Sequence, residues 1–287
     1  MGTRNRNFVQ TGYRLENTNL PYYYQADTLS VEKGLLRQNL SNIDLEIGRV
    51  LSQNSAVALT GMYEDFTYRP RQGLEELMQV TRISYSSFAL KGSFRLNTLN
   101  HRFFPTKGSE VKAVATYRFP LNSDQRGTDR TTTSLPVPDN YLKILGGVQT
   151  HFSLHKNISL SVNGWLGWTA APGMLYDRFF LGGAHLSPRE GMIGAAGWAG
   201  YEKSLTDFVK TGVKLQLDAG NQLYFWAGSD LLMDHDFAED RLRFQDPMLG
   251  YTIGMGFQSA LGPVYLSLFG NSDRWTPQWF LNFGFPF

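Results

Sequence analysis

The sequence predicts an all-β fold, a transmembrane antiparallel β-barrel of about twelve strands. Three observations predict it. Apolar and polar residues alternate with a period of two along most of the chain, as in strands whose two faces meet different surroundings. The C-terminal segment carries a large apolar side chain at every second position. The chain is also rich in aromatic residues, with 20 Phe, 14 Tyr and 6 Trp, and it has no cysteine.

Hydropathy and charge are compatible with this class. No apolar run approaches the roughly 18 residues that a spanning helix needs, and the mean hydropathy is −0.29. Alternation dilutes the hydrophobicity of each barrel strand, so this value does not argue against a membrane. The net charge of +2 is too balanced to indicate a nucleic-acid partner. The first residues do not form a secretory signal peptide, so we expect a precursor that carried one.

The alternation assigns the strands in order and gives each of them two faces. Tyr117 and Phe257 fall on apolar faces, which we place outward, whereas Lys112, Lys214 and Gln216 fall on polar faces, which we place inward. The same rule places Trp279 and Phe283 outward and Asn163 inward. The predicted strands are 8–17, 22–34, 40–52, 55–69, 78–97, 108–120, 141–154, 158–170, 206–218, 221–233, 247–260, 262–271 and 277–287.

The connections predict the orientation and the number of strands. Short turns alternate with the long stretches 70–77, 121–140, 171–205 and 234–246, and short periplasmic turns with long outer loops are typical of transmembrane barrels. The predicted strands number thirteen. An odd number of strands would leave the two termini on opposite sides of the membrane, and single-chain bacterial barrels have even numbers. We therefore expect residues 1–21 to be an N-terminal extension or plug, and residues 22–287 to form the outer-membrane β-barrel.

The C-terminal strand has an unusual composition for a soluble protein. Its outward positions all carry large apolar side chains, and such an exposed edge would invite aggregation in water. A terminal strand of this kind resembles the C-terminal signal of bacterial outer-membrane barrels. The signal residues are Trp279, Leu281, Phe283, Phe285 and Phe287.

Three further runs resemble motifs of the Omp-eighty-five superfamily. Residues 97–108 resemble a turn of that family that contains Phe-Pro-Thr-x-Gly, residues 177–183 resemble the Arg-Phe-x-x-Gly-Gly run that enters its long loop, and residues 261–264 resemble the Leu-Gly-Pro-Leu of its penultimate strand. The loop motif residues are Arg178, Phe179, Gly182 and Gly183. The chain is similar to barrels of the BamA, TamA and FhaC type (the bacterial surface antigen domain), and most similar to patatin-associated or POTRA-less barrels of the Bacteroidetes kind.

Two departures from the family pattern matter. The family's long loop carries a (Val/Ile)-Arg-Gly-(Phe/Tyr) tetrapeptide, whereas this chain has Pro188-Arg189-Glu190-Gly191-Met192 at that place. The chain also lacks POTRA domains and has fewer strands than the family's barrels. A truncated 16-stranded barrel is therefore the alternative to a barrel of about twelve strands.

The resemblance implies a function in the outer membrane of a Gram-negative bacterium, namely protein insertion or translocation. Two alternatives remain: a plugged structural or binding barrel without transport activity, and a narrow diffusion channel. A weak seam near Pro286, which cannot donate a ladder hydrogen bond, would suit an insertase. The implied partners are outer-membrane lipid, lipopolysaccharide and client outer-membrane or secreted proteins. We expect a monomer without a cofactor.

The resemblance also implies a contact between the long loop and the barrel wall. The loop at 171–205 is too apolar to extend into water, so we expect it to fold into the lumen. Its Arg189 is expected to meet an inward carboxylate, and the parity of the strand places Asp230 on the inner face. A buried arginine–carboxylate pair would be strong enough to hold the loop as a latch.

Catalytic and metal sites are not predicted. The nucleophile-elbow pattern Gly-x-Ser-x-Gly is absent, and His151-Phe152-Ser153 lacks the Asn-Gly that follows in outer-membrane phospholipases. The acidic run at 234–240 lacks the ordered spacing of a calcium loop. We therefore expect that the chain is not an enzyme and binds no metal.

Overall fold

The structure is a computed structural model. It describes residues 6–27, 30–71, 79–101, 103–129, 131–134, 137, 139–170, 178–183, 192–199, 203–234, 245–259, 262–272 and 274–284. For residues 18–27, 30–36, 134, 192, 203–204, 245–246 and 274–276 only the backbone is described. No helix in these ranges is long and apolar enough to cross a membrane.

The described chain is built from sixteen strands, whose alternating sequence favours extended backbone. They are β1 (Arg6–Asp27), β2 (Ser30–Ser52), β3 (Ser55–Arg71), β4 (Val80–Asn97), β5 (Gly108–Gly127), β6 (Thr132–Ser134), β7 (Tyr141–His155), β8 (Ile158–Thr169), β9 (Phe179–Leu181), β10 (Met192–Ile193), β11 (Lys203–Leu205), β12 (Phe208–Gly220), β13 (Leu223–Asp234), β14 (Gln245–Ser259), β15 (Gly262–Asn271) and β16 (Arg274–Phe283).

Thirteen strands form one sheet in the order β1-β2-β3-β4-β5-β7-β8-β12-β13-β14-β15-β16, and β6 lies off this path beside β5. The pairings along this path are antiparallel, for example β1 with β2 and β15 with β16. The path of twelve strands confirms the predicted all-β antiparallel architecture. Within the described residues β1 and β16 end the path and do not pair with each other, and Pro286, where we predicted a weak seam, lies outside them.

The N-terminal strands differ from those predicted. Residues 6–27 form one long strand that pairs with β2 from Arg6 to Asp27, where we expected a short strand within an N-terminal extension or plug. The extension was predicted because the number of predicted strands was odd, and Pro21 lies between the two strands predicted at 8–17 and 22–34. Proline removes one backbone donor, and a strand with a neighbour on one side only tolerates that loss. In the described residues β1 is such a strand, since β2 is its one partner.

The two faces of the sheet differ as the alternation predicted. The outer face exposes large apolar side chains on most strands, for example Leu215 on β12 (49% exposed) and Ile253 on β14 (56%). The predicted outward residues Tyr117, Phe257, Trp279 and Phe283 are all exposed. The predicted inward residues are buried or half-buried: Gln216, Lys112, Lys214 and Asn163. So many exposed apolar side chains would be costly in water and suit lipid.

The chain divides into two compact units. Unit 1 comprises residues 1–93 and 115–143, and unit 2 comprises residues 94–114 and 144–287. The strands β12–β16 belong to unit 2, as do the short strands β9, β10 and β11, which form a separate sheet in the order β10-β9-β11. The inner face of unit 2 is the face that carries Lys214, Gln216 and Asp230.

Candidate functional site

The small sheet β10-β9-β11 covers the inner face of unit 2 near the long-loop ends of its strands. Phe179 and Leu181 of β9 are fully buried, and Phe179 meets Phe208 of β12 edge-to-face with ring centroids 5.3 Å apart. The rest of this apolar cluster comes from both the loop and the wall: Ile193, Ala195, Trp198, Leu205, Leu232 and Met248. The predicted loop of residues 171–205 therefore packs against the wall through its described parts.

One buried carboxylate joins this loop to the wall by hydrogen bonds. Asp230 of β13 accepts a hydrogen bond from the backbone N–H of Ala196 at 2.7 Å, and its Oδ2 also lies 3.1 Å from the ammonium of Lys210 on β12. Its Oδ1 accepts a weaker bond from Asn163 Nδ2 at 3.3 Å. Gly212 lies directly opposite Asp230, and a Cβ there would collide with Oδ1. The wall thus leaves room for the carboxylate and supplies its countercharge.

A second contact holds the next residue of the loop. Asn271 at the end of β15 donates a buried hydrogen bond from Nδ2 to the Gly197 carbonyl at 2.8 Å. Gly197 has φ +91°, and a Cβ on it would lie 2.5 Å from the Cα of Gly250 on β14. Only glycine combines this backbone angle with so close an approach. The loop therefore lies backbone against backbone on β14.

A polar cavity of about 180 Å³ lies beside this contact. Ile193, Gly194 and Ala196 of the loop form part of its lining, and Lys214 and Asn163 of the wall form another part. A volume of this size is large enough for a few water molecules. The cavity is thus space left under the docked loop.

A second chain segment fills the inner face at the opposite end of the strands. The turn between β4 and β5 places Phe104, which is 3% exposed, against Tyr224 with ring centroids 4.2 Å apart and planes at 10°. Trp226 and Tyr265 complete the cluster at 6.3 and 5.4 Å from the Phe104 ring. Gly256 of β14 makes room for this ring. We call Tyr224, Trp226, Tyr265 and Gly256 the aromatic pocket.

The inner face of unit 1 is filled differently. Arg118 of β5 forms a buried ion pair with Glu64 of β3 and donates a hydrogen bond to Ser87 of β4 at 3.2 Å. The guanidinium also lies over the Phe66 ring, 5.8 Å from its centroid. Side chains of the wall itself make all these contacts.

The sequence pattern of the OMP85 superfamily matches residues 63–287 of this chain. The chain belongs to the OMP85 superfamily. The family resemblance inferred from the motifs is thereby confirmed, and with it the barrel type of fold. No curated protein matches the chain.

Two solved barrels of this superfamily are similar in fold. The first is BamA from Haemophilus ducreyi lacking POTRA domains 1–3, with a TM-score of 0.63 and 15% identity over 96% of this chain and 60% of that one. The second is CdiB from Acinetobacter baumannii, with a TM-score of 0.54 and 14% identity over 93% of this chain and 46% of that one. This chain thus spans about half to three fifths of their lengths. At these identities the likeness shows the fold alone.

The predicted residues of this OMP85 barrel are found in three situations. Asp230 lies on the inner face and contacts the long loop, through Ala196, whereas Arg189, its predicted partner, lies outside the described residues. Of the loop motif, Phe179 is buried, and Gly182 and Gly183 have φ of 137° and 63°. Arg178 is half-buried. Trp279, Leu281 and Phe283 are exposed, and Phe285 and Phe287 lie outside the described residues.

The sequence reasoning missed several residues of the site. Ala196 and Gly197 contribute backbone groups, which carry no side-chain signal. Lys210 and Asn271 could have been found, because each is a polar residue at an inward position of its strand, as Asp230 is. Phe104 was noted only as part of a turn motif, but an aromatic in a tight turn of a barrel needs an apolar contact.

Proposed function

We propose that this chain is an outer-membrane barrel that inserts or translocates client polypeptides, and that the long loop docked on the inner face of unit 2 is the part that moves. The observation that carries this proposal is the attachment of residues 196–197 to the wall by Asp230 and Asn271. Together with the buried apolar cluster around Phe179, these hydrogen bonds hold the loop, and none of them is part of the strand pairing of the wall. The loop can therefore leave without breaking any strand pairing of the wall.

The surroundings support this function. The exposed apolar outer face suits a lipid bilayer, and lipid and lipopolysaccharide are its expected contacts. Membership of the OMP85 superfamily supports the bacterial outer membrane as the location and client proteins as partners. We propose that the chain is a monomer and performs no enzymatic chemistry.

A plugged structural barrel is the second candidate. Two chain segments pack on the inner face of unit 2, near opposite ends of its strands. The loop packs through the cluster around Phe179, and the turn packs through the cluster around Phe104. The same filling disfavours a wide diffusion channel, because little open space remains beside the wall.

Client folding in liposomes tests the proposal. The chain is reconstituted in liposomes and an unfolded outer-membrane barrel is added as the client. Folding of the client is followed by its electrophoretic mobility in samples that are not heated. We expect folding several times faster than in liposomes with an unrelated barrel of similar size. Translocation is followed in parallel by protection of a labelled secreted polypeptide from external protease.

Two matched variants test whether the loop takes part in client folding or translocation. Asp230→Ala is expected to change the rate of client folding or protection, whereas Asp44→Ala, which removes a half-buried carboxylate from β2 in unit 1, is expected to leave it unchanged. Equal rates with and without the chain in both assays would contradict an insertion or translocation function and favour the plugged barrel. A large conductance of the unmodified chain would favour the channel.

A further inference from the structure

The aromatic pocket of unit 2 has the chemistry of a binding site that the chain's own Phe104 now occupies. The ring of Phe104 is nearly parallel to that of Tyr224 and is bordered by Trp226 and Tyr265. A stacked ring among several aromatics gains more than its buried area alone provides. The geometry of the pocket therefore suits a flat aromatic side chain.

The turn that supplies Phe104 is shaped by its own hydrogen bonds. Asn100 Oδ1 accepts from the backbone N–H groups of Thr106 and Lys107, both at 3.0 Å, and Asn100 Nδ2 donates to Thr106 Oγ1 at 2.8 Å. None of these three hydrogen bonds involves a residue of the pocket. Withdrawal of the ring would cost the aromatic contacts but would not require the turn to unfold.

An unpaired polar side chain lies next to the pocket. Gln216 of β12 is directly opposite Trp226 in the strand register and is 2% exposed. Within the described residues, neither its Nε2 nor its Oε1 has a hydrogen-bond partner. An unsatisfied buried amide is costly. A carboxamide offers one acceptor and a pair of donors, which match the N–H and C=O of a peptide group.

The pocket also lies at the end of the strands where a client would arrive. Tyr224 follows the tight turn between β12 and β13, and Tyr265 follows the short connection between β14 and β15. Short turns of outer-membrane barrels face the periplasm. Clients of an insertion or translocation barrel come from that side.

We propose that the aromatic pocket binds an aromatic side chain of an extended client polypeptide, which displaces Phe104, while Gln216 hydrogen-bonds the client backbone beside it. This inference rests on the proposed function for the identity of the ligand. Phe104 is then a competing internal ligand that keeps the site closed in the absence of a client.

Peptide binding to the full chain in nanodiscs tests this site. The probes are two labelled ten-residue peptides of glycine and serine, one with a central Phe and the other with Ala at that position. Phe104→Ala empties the pocket, so it should bind the Phe peptide at least roughly tenfold more tightly than the unmodified chain does, as expected for burial of one aromatic side chain. It should prefer the Phe peptide to the Ala peptide by a similar factor.

Further variants keep the test decisive. Phe104→Leu keeps an apolar side chain in the turn and removes the stacked ring, so it should give a smaller gain in the same direction. Gly256→Ala places a Cβ 2.6 Å from the Phe104 ring and crowds the pocket for any ring, so adding it to Phe104→Ala should abolish the gain. Adding Gln216→Leu to Phe104→Ala should weaken binding several-fold. Phe88→Ala, which removes an exposed outer-face ring in unit 1, is the matched control and should change nothing.

Two results would contradict the proposed binding site. One is no gain in affinity for the Phe peptide in either folded variant of Phe104, and the other is equal binding of the two peptides. If liposome folding and protection succeed and peptide binding fails, this inference falls and the proposed function stands. If peptide binding succeeds and both liposome assays fail, the site exists and the proposed function falls.

Discussion

The two units close their inner faces in different ways. In unit 1 the Arg118–Glu64 ion pair and Ser87 come from three neighbouring strands of the wall. In unit 2 the wall side chains Lys210, Asp230 and Trp226 are covered by connections, namely the loop around Ala196 and the turn around Phe104. Side chains of the wall cannot leave the inner face unless their strands unfold. A loop or a turn can move away while the strands stay paired.

The composition of the wall explains this difference. On β14 the inward residues Gly250, Gly254 and Gly256 have no side chains, and Ala196, Trp226 and Phe104 come within collision distance of where their Cβ atoms would be. These glycines leave space on the inner face of β14, which the loop, the turn and Trp226 of β13 fill. We infer that movement during function is confined to unit 2, and the following variants test this contrast.

The largest loss of stability is expected for Glu64→Ala. It leaves the buried guanidinium of Arg118 without its carboxylate, and breaking a buried pair in this way costs about 3–5 kcal/mol. Unfolding in urea from detergent micelles measures the loss. Conductance in planar bilayers should stay at the level of the unmodified chain. A conductance increase would show that unit 1 also depends on a displaceable contact.

A smaller loss is expected for Asp230→Asn, which keeps the shape of the side chain and removes its charge. The bonds from Ala196 and Lys210 weaken, at a cost of about 1.5–3 kcal/mol for hydrogen bonds to a charged group. Conductance should rise, because the loop is freed. Measuring Arg189→Ala and Asp230→Ala singly and together tests the predicted latch, since a direct contact gives non-additive effects.

Gly250→Ala should release the loop by crowding it. The new Cβ would meet the Ala196 carbonyl and would lie 2.5 Å from the Trp198 ring, and overpacking of this kind costs about 1–3 kcal/mol. Limited proteolysis of the loop measures the release. Gly92→Ala on β4 is the control, because nothing lies within 4 Å of its Cβ position. Equal cleavage of the two variants would contradict the close backbone contact.

The smallest effect is expected for Asn271→Ala, which removes one hydrogen bond to the Gly197 carbonyl. The cost should be about 1 kcal/mol. Combined with Asp230→Asn it should raise conductance further than either change alone. An unchanged conductance in the double variant would mean that the apolar cluster around Phe179 holds the loop without these bonds.

Much of the fold followed from the sequence, because period-two alternation determines which residues share a face. It placed Trp279 outward and Gln216 inward, as the structure does. It gave other bounds for the first strands, predicted at 8–17 and 22–34, whereas residues 6–27 form one strand that pairs with β2 through Pro21. Pairing depends on the backbone of both strands, and one residue does not reveal it.

The site was predicted in part. The parity of β13 put Asp230 on the inner face, and the apolar loop was expected to lie against the wall, as its described parts do. The loop atoms that Asp230 meets could not be predicted, because the backbone N–H of Ala196 has no sequence signature. The role of Phe104 depends on residues from β13, β14 and β15 meeting at one place, which requires the register of all three strands.

Hydrogen–deuterium exchange of the reconstituted chain, with and without a folding client, tests the central contrast most directly. At rest, the amide of Ala196 should be protected by its bond to Asp230, and the amides of β3, β4 and β5 by strand pairing. During client folding we predict that residues 192–199 lose protection while the strands of unit 1 keep theirs. Undiminished protection of residues 192–199 during client folding at full rate would contradict the account.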